Sequence, residues 1–252
     1  MDLGLKERVY IVTGSTSGLG EACASALLAE GARVVISSRD QARVDSAVAG
    51  FENSYPGQVR GVVADLTDPG APAALIASAL EGWGKIDGLL VSGGGPPVAG
   101  VLAATDEQWK QSFESVFLGP LRMAREVAAH MTDGGCISMV LSGSVYAPIP
   151  ELALSNGLRP GLAMALKTLS DELGGTGVRT VGLVPGRIET ARTIELDSAH
   201  PDVSARRNKA IPTGRLGTPE EFARVAAFML SPAASYVNGS CVVIDGGAKR
   251  SL

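Results

Sequence analysis

The sequence predicts an α/β fold, a doubly wound parallel sheet of about seven strands with helices on both faces. Three observations predict it. Apolar runs of strand length alternate with amphipathic segments of helix length along nearly the whole chain, the pattern of a parallel sheet flanked by helices. A glycine-rich stretch, Thr13-Gly14-Ser15-Thr16-Ser17-Gly18-Leu19-Gly20, joins the first apolar run to the first helical one. The length, 252 residues, suits one domain over 1–252, and no repeat or linker divides it.

Taken in order, Val9–Val12 reads as a buried strand and Glu21–Leu28 as a helix. A strand over Arg33–Ser37 leads to a helix from Asp40 to Phe51, with Asp40 as its cap. Val59–Ala64 is the third strand and Pro72–Trp83 the next helix. The fourth strand, Ile86–Val91, ends in Ser92-Gly93-Gly94-Gly95-Pro96-Pro97. One long helix is predicted from Asp106 to His130, then a strand over Cys136–Leu141, and a second long helix within Leu152–Leu173. Arg179–Val184 is the sixth strand. Glu189–Ala210 is polar and reads as irregular, Pro219–Leu230 as a helix and Cys241–Ile244 as the last strand.

Composition excludes several function classes. With 45% hydrophobic residues the chain can bury a substantial core. No apolar run reaches the roughly eighteen residues of a membrane span. The charged start, Met1–Arg8, leaves no room for a signal peptide, which points to the cytoplasm. A net charge of −4 gives no footprint for nucleic acid. Cys23, Cys136 and Cys241 lack metal-ligand spacing and read as buried thiols, so no metal is expected.

The glycine-rich stretch carries the first functional reading. At a strand-to-helix junction such a turn brings the backbone close to a pyrophosphate, and the amides of the helix N-terminus face its charge. Gly14 takes the tight turn, Gly18 the close approach, and Gly20 the packing of helix on strand. These glycines bind a nucleotide.

Together with this turn, several spaced motifs resemble the short-chain dehydrogenase/reductase family over essentially the whole chain. They are Asp65 after the third strand, Pro185-Gly186 followed by Thr190, Arg215-x-Gly217-x-Pro219-Glu220-Glu221, Asn238-Gly239 and Ile244-Asp245-Gly246-Gly247. The resemblance implies a Rossmann-type fold, a nicotinamide cofactor, a small-molecule substrate and a homo-oligomer, tetramer or dimer, built on the two long helices. It places Asp65, with Leu66 and Gly93, beside the adenine, and Pro185, Gly186, Ile188 and Thr190 at the carboxamide. Ser15, Ser17 and Leu19 join the glycines around the phosphates. It also makes 189–210 the substrate lid.

The end of the second strand selects between the two cofactors. An acid there would accept from both ribose hydroxyls of NAD. The residues are Ser37-Ser38-Arg39 instead. Arg39 either stacks on adenine and pairs with a 2′-phosphate, with Ser38 donating beside it, or stands as a solvated surface charge. Ser17 fills the place before the middle glycine where family members often carry a second cation. NADP is favoured over NAD.

The active site departs from the family's Asn-Ser-Tyr-Lys tetrad. Ungapped counting puts Ser142 on the serine, Ser155 on the tyrosine, Arg159 on the lysine, which also holds the nicotinamide ribose, and Val116 on the asparagine. Only the serine is kept. Ser155 and Arg159 share a helical face and can donate hydrogen bonds to an oxyanion, but a serine is a weak acid and an arginine keeps its proton. The proton for an alkoxide then comes from water or another residue. Tyr146, in the loop stiffened by Pro148-Ile149-Pro150, is either that residue or a tyrosine packed on its loop. Gly157, Pro160 and Gly161 predict a helix kinked at Pro160 or starting there, with Arg159 displaced. His130 reads as a charge partner at a helix end, and His200 lies in the lid. The lid cations Arg192, Arg206, Arg207 and Lys209 either steer an acidic substrate or belong to a mixed, solvated loop. Three functions fit: an NADP-dependent carbonyl or alcohol oxidoreductase (ketone or 3-oxoacyl substrate), a redox-inactive dinucleotide binder, or a lyase or isomerase.

Overall fold

Strands form where β-branched and other apolar residues run uninterrupted, because a parallel strand is covered on both faces. The computed structural model describes residues 1–199, 205 and 208–251. Its strands are β1 (Val9–Val12), β2 (Arg33–Ser38), β3 (Val59–Val63), β4 (Gly88–Val91), β5 (Gly135–Val140), β6 (Val178–Pro185) and β7 (Ser240–Ile244). They make one seven-stranded sheet in the order β3-β2-β1-β4-β5-β6-β7, and every pairing is parallel. The order reverses at β1 and β4, where chains leaving in opposite directions open a crevice at the carboxyl ends of the strands. At the other end, buried Asp87 fixes these strands by accepting from the Val9 amide (2.7 Å), Arg8 (3.0 Å) and Lys85 (3.0 Å).

The helices are α1 (Gly18–Ala29), α2 (Gln41–Glu52), α3 (Ala71–Trp83), α4 (Asp106–Ser112), α5 (Gly119–Ala128), α6 (Ala153–Leu173), α7 (Ala191–Ala199) and α8 (Pro219–Leu230). One core gathers Cys23, Leu27 and Phe222 from α1 and α8. The other gathers Leu75, Met123, Leu162 and Leu166 from α3, α5 and α6.

Three expectations are corrected. The predicted helix from Asp106 to His130 is α4 and α5 joined by a π-helical turn over Phe113–Leu118. Pro120 has no N–H to give the Val116 carbonyl, which removes one α-helical bond at that point. Phe113 and Phe117 stack within the turn, their centroids 5.2 Å apart. Second, α6 runs unbroken from Ala153 to Leu173 through Pro160 and is neither restarted nor interrupted there. Its first turns are held from outside: the Ala153 amide donates to Ala99, and the Asn156 carboxamide both donates to and accepts from the Ile149 backbone (2.9 and 3.0 Å). Gly157 and Gly161 let α6 approach its neighbours, because a Cβ on them would lie 2.8 Å from Trp109 and 3.1 Å from Phe117. Third, the segment 189–210 is not wholly irregular, since Ala191–Ala199 is helical, with Thr190 Oγ1 accepting from the Thr193 amide (3.3 Å).

Gly119 tests this packing. Alanine normally favours a helix over glycine by about 1 kcal/mol. Here a Cβ would overlap the Leu66 carbonyl and come 2.9 Å from the Glu114 carbonyl, both backbone atoms. The clash wins, and Gly119→Ala is expected to lower stability by about 1–3 kcal/mol in urea unfolding.

Candidate active site

The carboxyl edge of β1 is built from short side chains that bond backbone. Thr13 Oγ1 donates to the Ser92 carbonyl (2.7 Å) and accepts from the Ser92 amide (3.0 Å), which pins β1 to β4. Gly14 follows at φ +55, where a Cβ would stand 2.7 Å from the Ser92 carbonyl. Ser15 is fully buried. Its hydroxyl donates to Val12 (2.6 Å) and accepts from the Ser37 amide (2.9 Å), and its own amide donates to Ser37, so it is a strut beneath the turn. Ser17 is the N-cap of α1 yet makes no side-chain capping bond. Gly18, at φ +60, faces Thr190 across the crevice, 3.8 Å from where its Cβ would be. Gly20 abuts the Gly14 carbonyl, and Leu19 packs against the α1 core. The unpaired first amides of α1 thus open onto a surface without side chains, which suits a pyrophosphate.

Beyond β2, Arg39 is exposed and reaches Asp65 (Nη1 to Oδ2, 3.9 Å). Asp65 Oδ1 accepts from the amide and the hydroxyl of Thr67, each at 2.9 Å. Asp40 caps α2 as expected, accepting from the Arg43 amide (2.9 Å), and Ser38 Oγ accepts from the Asp40 amide (3.5 Å). Leu66 closes on Gly93, where a Cβ would lie 3.3 Å from its Cδ1. At the end of β6, after Pro185, the Gly186 amide donates to Ile244 (2.8 Å), and a Cβ there would collide with Asp245. Ile188 is buried and bridges to Gly217. Arg187 pairs with Asp197 of α7 and donates to Asn208 (2.8 Å), which ties both to the end of β6. Lys209 is exposed. His200, Arg206, Arg207 and the Arg192 side chain lie outside the described residues.

The residues expected to do chemistry divide into two groups. Ser142 ends β5 half-buried, and its Oγ accepts from the Ser144 amide (3.3 Å). Ser144 Oγ lies 3.0 Å from Ser155 Oγ, both buried, so the first turn of α6 is tied to the turn after β5. Arg159, one turn along, is buried and donates Nη1 to the Val140 carbonyl (2.7 Å), two residues before Ser142. Ser142, Ser155 and Arg159 are therefore assembled around the end of β5. Val116 is buried within the π-helical turn, a hydrocarbon at that position.

Tyr146 is drawn away from this group. Its hydroxyl donates to the Cys241 carbonyl on β7 (3.4 Å), and Lys249 lies 4.1 Å over its ring. Burial first, then the Cys241 thiol, pushes its phenol above the ordinary value. A general acid working near neutrality needs the opposite shift. His130 is exposed beyond the end of α5. The sequence reading missed Thr13 as a clamp and Ser144 as the partner of Ser155. For Thr13, its place at the head of the glycine stretch was the available signal; for Ser144 there was none. No cluster of potential metal ligands occurs among the described residues, and no described helix is long and apolar enough to cross a membrane.

Comparison with known proteins bears on this geometry. The family model described as enoyl-(acyl carrier protein) reductase matches residues 14–249. Human dehydrogenase/reductase SDR family member 2, mitochondrial, is 34% identical, and the alignment covers 98% of this chain and 88% of that protein. The structure of L-sorbose reductase from Gluconobacter frateurii, complexed with NADPH and L-sorbose, superposes with a TM-score of 0.94 at 28% identity over the full length of both chains. An NADPH-bound short-chain oxidoreductase from Pseudomonas aeruginosa, described as containing an atypical catalytic center, gives a TM-score of 0.90 at 27% identity, covering 98% of this chain and 100% of that one.

The Thr13 clamp makes a stability prediction. Thr13→Val leaves a buried amide and carbonyl at Ser92 without their partner, and is expected to cost about 1–3 kcal/mol in urea unfolding.

Proposed function

We propose that this chain, which belongs to the short-chain dehydrogenase/reductase family, uses NADP(H) to interconvert a carbonyl and an alcohol at a centre made by Ser142, Ser155 and Arg159. The observation that carries the reading is the junction of two halves. A cradle that excludes Cβ atoms at Gly14 and Gly20 and faces Thr190 from Gly18 lies on the same sheet edge as the hydroxyl cluster at the end of β5. The fit to a pyridine dinucleotide follows from that cradle and its donors. The amides of α1 would hold the pyrophosphate, and Ser38 and Arg39 would hold the adenosine end with its 2′-phosphate. The NADPH complexes of the two solved relatives support the choice of coenzyme.

A nicotinamide coenzyme held along this edge would supply or take up the hydride that interconverts a ketone and an alcohol. Ser142 accepts from the Ser144 amide and so turns its own proton toward the substrate oxygen. Ser155 is linked to it through Ser144, and Arg159, held on the Val140 carbonyl at the end of the same strand, adds a permanent positive charge. Each well-placed donor is worth about 3 kcal/mol toward an oxyanion. Neither Arg159 nor a serine hydroxyl releases a proton readily near neutrality, so water at the pocket protonates the alkoxide. The Pseudomonas relative, an NADPH-bound short-chain oxidoreductase described as containing an atypical catalytic center, supports coenzyme binding beside a non-standard centre. Exposed Phe113 and Met164, on the two long helical segments, support assembly into a homo-oligomer through those segments.

A second reading has its own observation. Ser155 is bonded to Ser144 and Arg159 to Val140, which favours a dinucleotide binder without turnover.

One assay separates the two. NADPH oxidation is followed with L-sorbose, other ketoses, 2-enoyl thioesters and 3-oxoacyl thioesters. Turnover is expected with at least one class; Ser142→Ala lowers kcat about a hundredfold, as loss of an oxyanion donor does elsewhere. Tyr146→Phe stays within about twofold, as for a change outside the site. Loss of turnover in Tyr146→Phe would overturn water as the proton source. NADPH binding with no turnover on any substrate would favour the second reading.

A further inference from the structure

The geometry points to a carbonyl carried on a hydrocarbon chain as the substrate, the chain lying along an apolar wall that runs from Ile149, near Ser142, outward to Val98, Val101 and Leu102. This substrate class rests on the reductase reading above and deepens it, since it names what the site selects and the residues that select it. Two segments leave the carboxyl ends of β4 and β5 and flank the hydroxyl cluster. Neither carries a charge: no Asp, Glu, Lys, Arg or His occurs from 88 to 105 or from 134 to 150. The β4 segment is pinned where α6 starts, the Ala99 amide donating to the Glu151 carbonyl (2.8 Å) and the Ala153 amide to the Ala99 carbonyl (3.0 Å). Ser155 lies on the first turn of that helix. From the β5 side, Ile149 Cδ1 comes to 3.9 Å from where a Cβ on Gly143 would be, and Gly143 follows Ser142 in the chain. The Asn156 carboxamide fixes the Ile149 backbone by donating to its carbonyl and accepting from its amide (2.9 and 3.0 Å).

Val98, Val101 and Leu102 are all exposed, within one short stretch of chain. Single apolar side chains at a surface are ordinary, whereas a cluster of them beside a reaction centre marks a place where apolar matter is covered. The polar side chains of the same two segments are engaged elsewhere. Thr105 Oγ1 accepts from the Gln108 amide at the head of α4 (3.2 Å), and Ser92 is buried at the end of β4. Ser144 is paired with Ser155, and Tyr146 donates to β7. That leaves Ser142, with Ser155 behind it, for the one oxygen that reacts. A polyhydroxylated substrate would give up water at each further hydroxyl and find no side-chain partner for it on these segments. A hydrocarbon chain has no such loss and gains by covering the two valines and the leucine.

Initial rates of NADPH oxidation by the full chain test the wall, with 2-butanone, 2-hexanone and 2-octanone, with 3-oxobutanoyl- and 3-oxooctanoyl-coenzyme A, and with L-sorbose. In at least one series kcat/KM is expected to rise about two- to fourfold per added methylene, as for a group leaving water. L-Sorbose should fall about tenfold or more below the longest member. The series with the higher kcat/KM at equal chain length tells a free ketone from a thioester. Leu102→Asp and Val98→Asn should each lower kcat/KM for the longest substrate about fivefold and leave the shortest within about twofold, whereas a damaged fold would lower both alike. Calorimetric titration of 2-octanone into the NADP+-saturated protein should weaken by a similar factor in each variant. If kcat/KM is independent of chain length in both series, or L-sorbose exceeds them, the wall is overturned and the reductase reading stands. If Leu102→Asp changes the molar mass in light scattering but not the chain-length dependence, the patch is a contact between copies and the wall is again overturned. If no carbonyl compound is reduced, the reductase reading falls and the substrate class with it.

Discussion

Where β1 and β4 part, the Ser92 carbonyl fills the place that a side chain at position 14 would need. Most of the site follows from that contact. With only hydrogen at Gly14, the backbone of the turn can lie against the end of β4, close enough for the Thr13 hydroxyl to bond both the amide and the carbonyl of Ser92. Ser15 then ties the turn sideways to Ser37 of β2. Fixed to both neighbouring strands, the turn holds the start of α1 still. Its amides are therefore held as a fixed group of donors, which suits the pyrophosphate of the proposed coenzyme. A larger residue at position 14 would push the turn off β4, and the hydroxyl bonds, the helix start and the phosphate cradle would shift together.

How far the sequence revealed this depends on the range of the interactions. The parallel sheet was legible because strands covered on both faces must be apolar throughout, and β1 and β4 are buried at every position. The glycine turn was legible because its requirements are local to the backbone. Asp40, the cap of α2, was legible for the same reason. The π-helical turn was not, since it depends on Pro120 acting together with the press of Gly119 on Leu66, far away in sequence. Local rules offered two outcomes for α6, a kink at Pro160 or a start there. The start is not found: the helix begins at Ala153, where Asn156, Ser155 and Arg159 bond to partners on the loop and strand before it. The two glycines that looked like breakers are contact points for Trp109 and Phe117.

The candidate site divides along the same line. Its nucleotide half is built from backbone amides and the absence of side chains, so motif spacing locates it. Its chemical half is built from side chains on α6 and on the turn after β5, whose directions are set by tertiary partners. Ser155 is a lone hydroxyl in the sequence and half of a buried pair in the structure. Arg159 appears in the sequence as a charge one turn from Ser155; in the structure it also braces Val140, and so the strand that carries Ser142. Tyr146, close to Ser142 along the chain, is turned onto β7.

These placements bear on the proposed use of Ser155 and Arg159 where the family resemblance expects a tyrosine and a lysine. A tyrosine beside a lysine works because each can change charge within reach of neutral pH. Ser155 and Arg159 cannot, since one stays neutral and the other stays charged. What the pair can supply is a fixed field and oriented donors, which act on an oxyanion without any protein group titrating. A fixed field must be held in place to be useful, because a flexible arginine would be screened by water or would reorient. The bonds from Arg159 to Val140 and between Ser155 and Ser144 provide that restraint, and they are the same contacts that carry α6 through Pro160. Continuity of the helix and fixity of the charge thus rest on the same contacts, and in the proposed mechanism the serine and arginine would act as a rigid electrostatic centre in place of a titrating one.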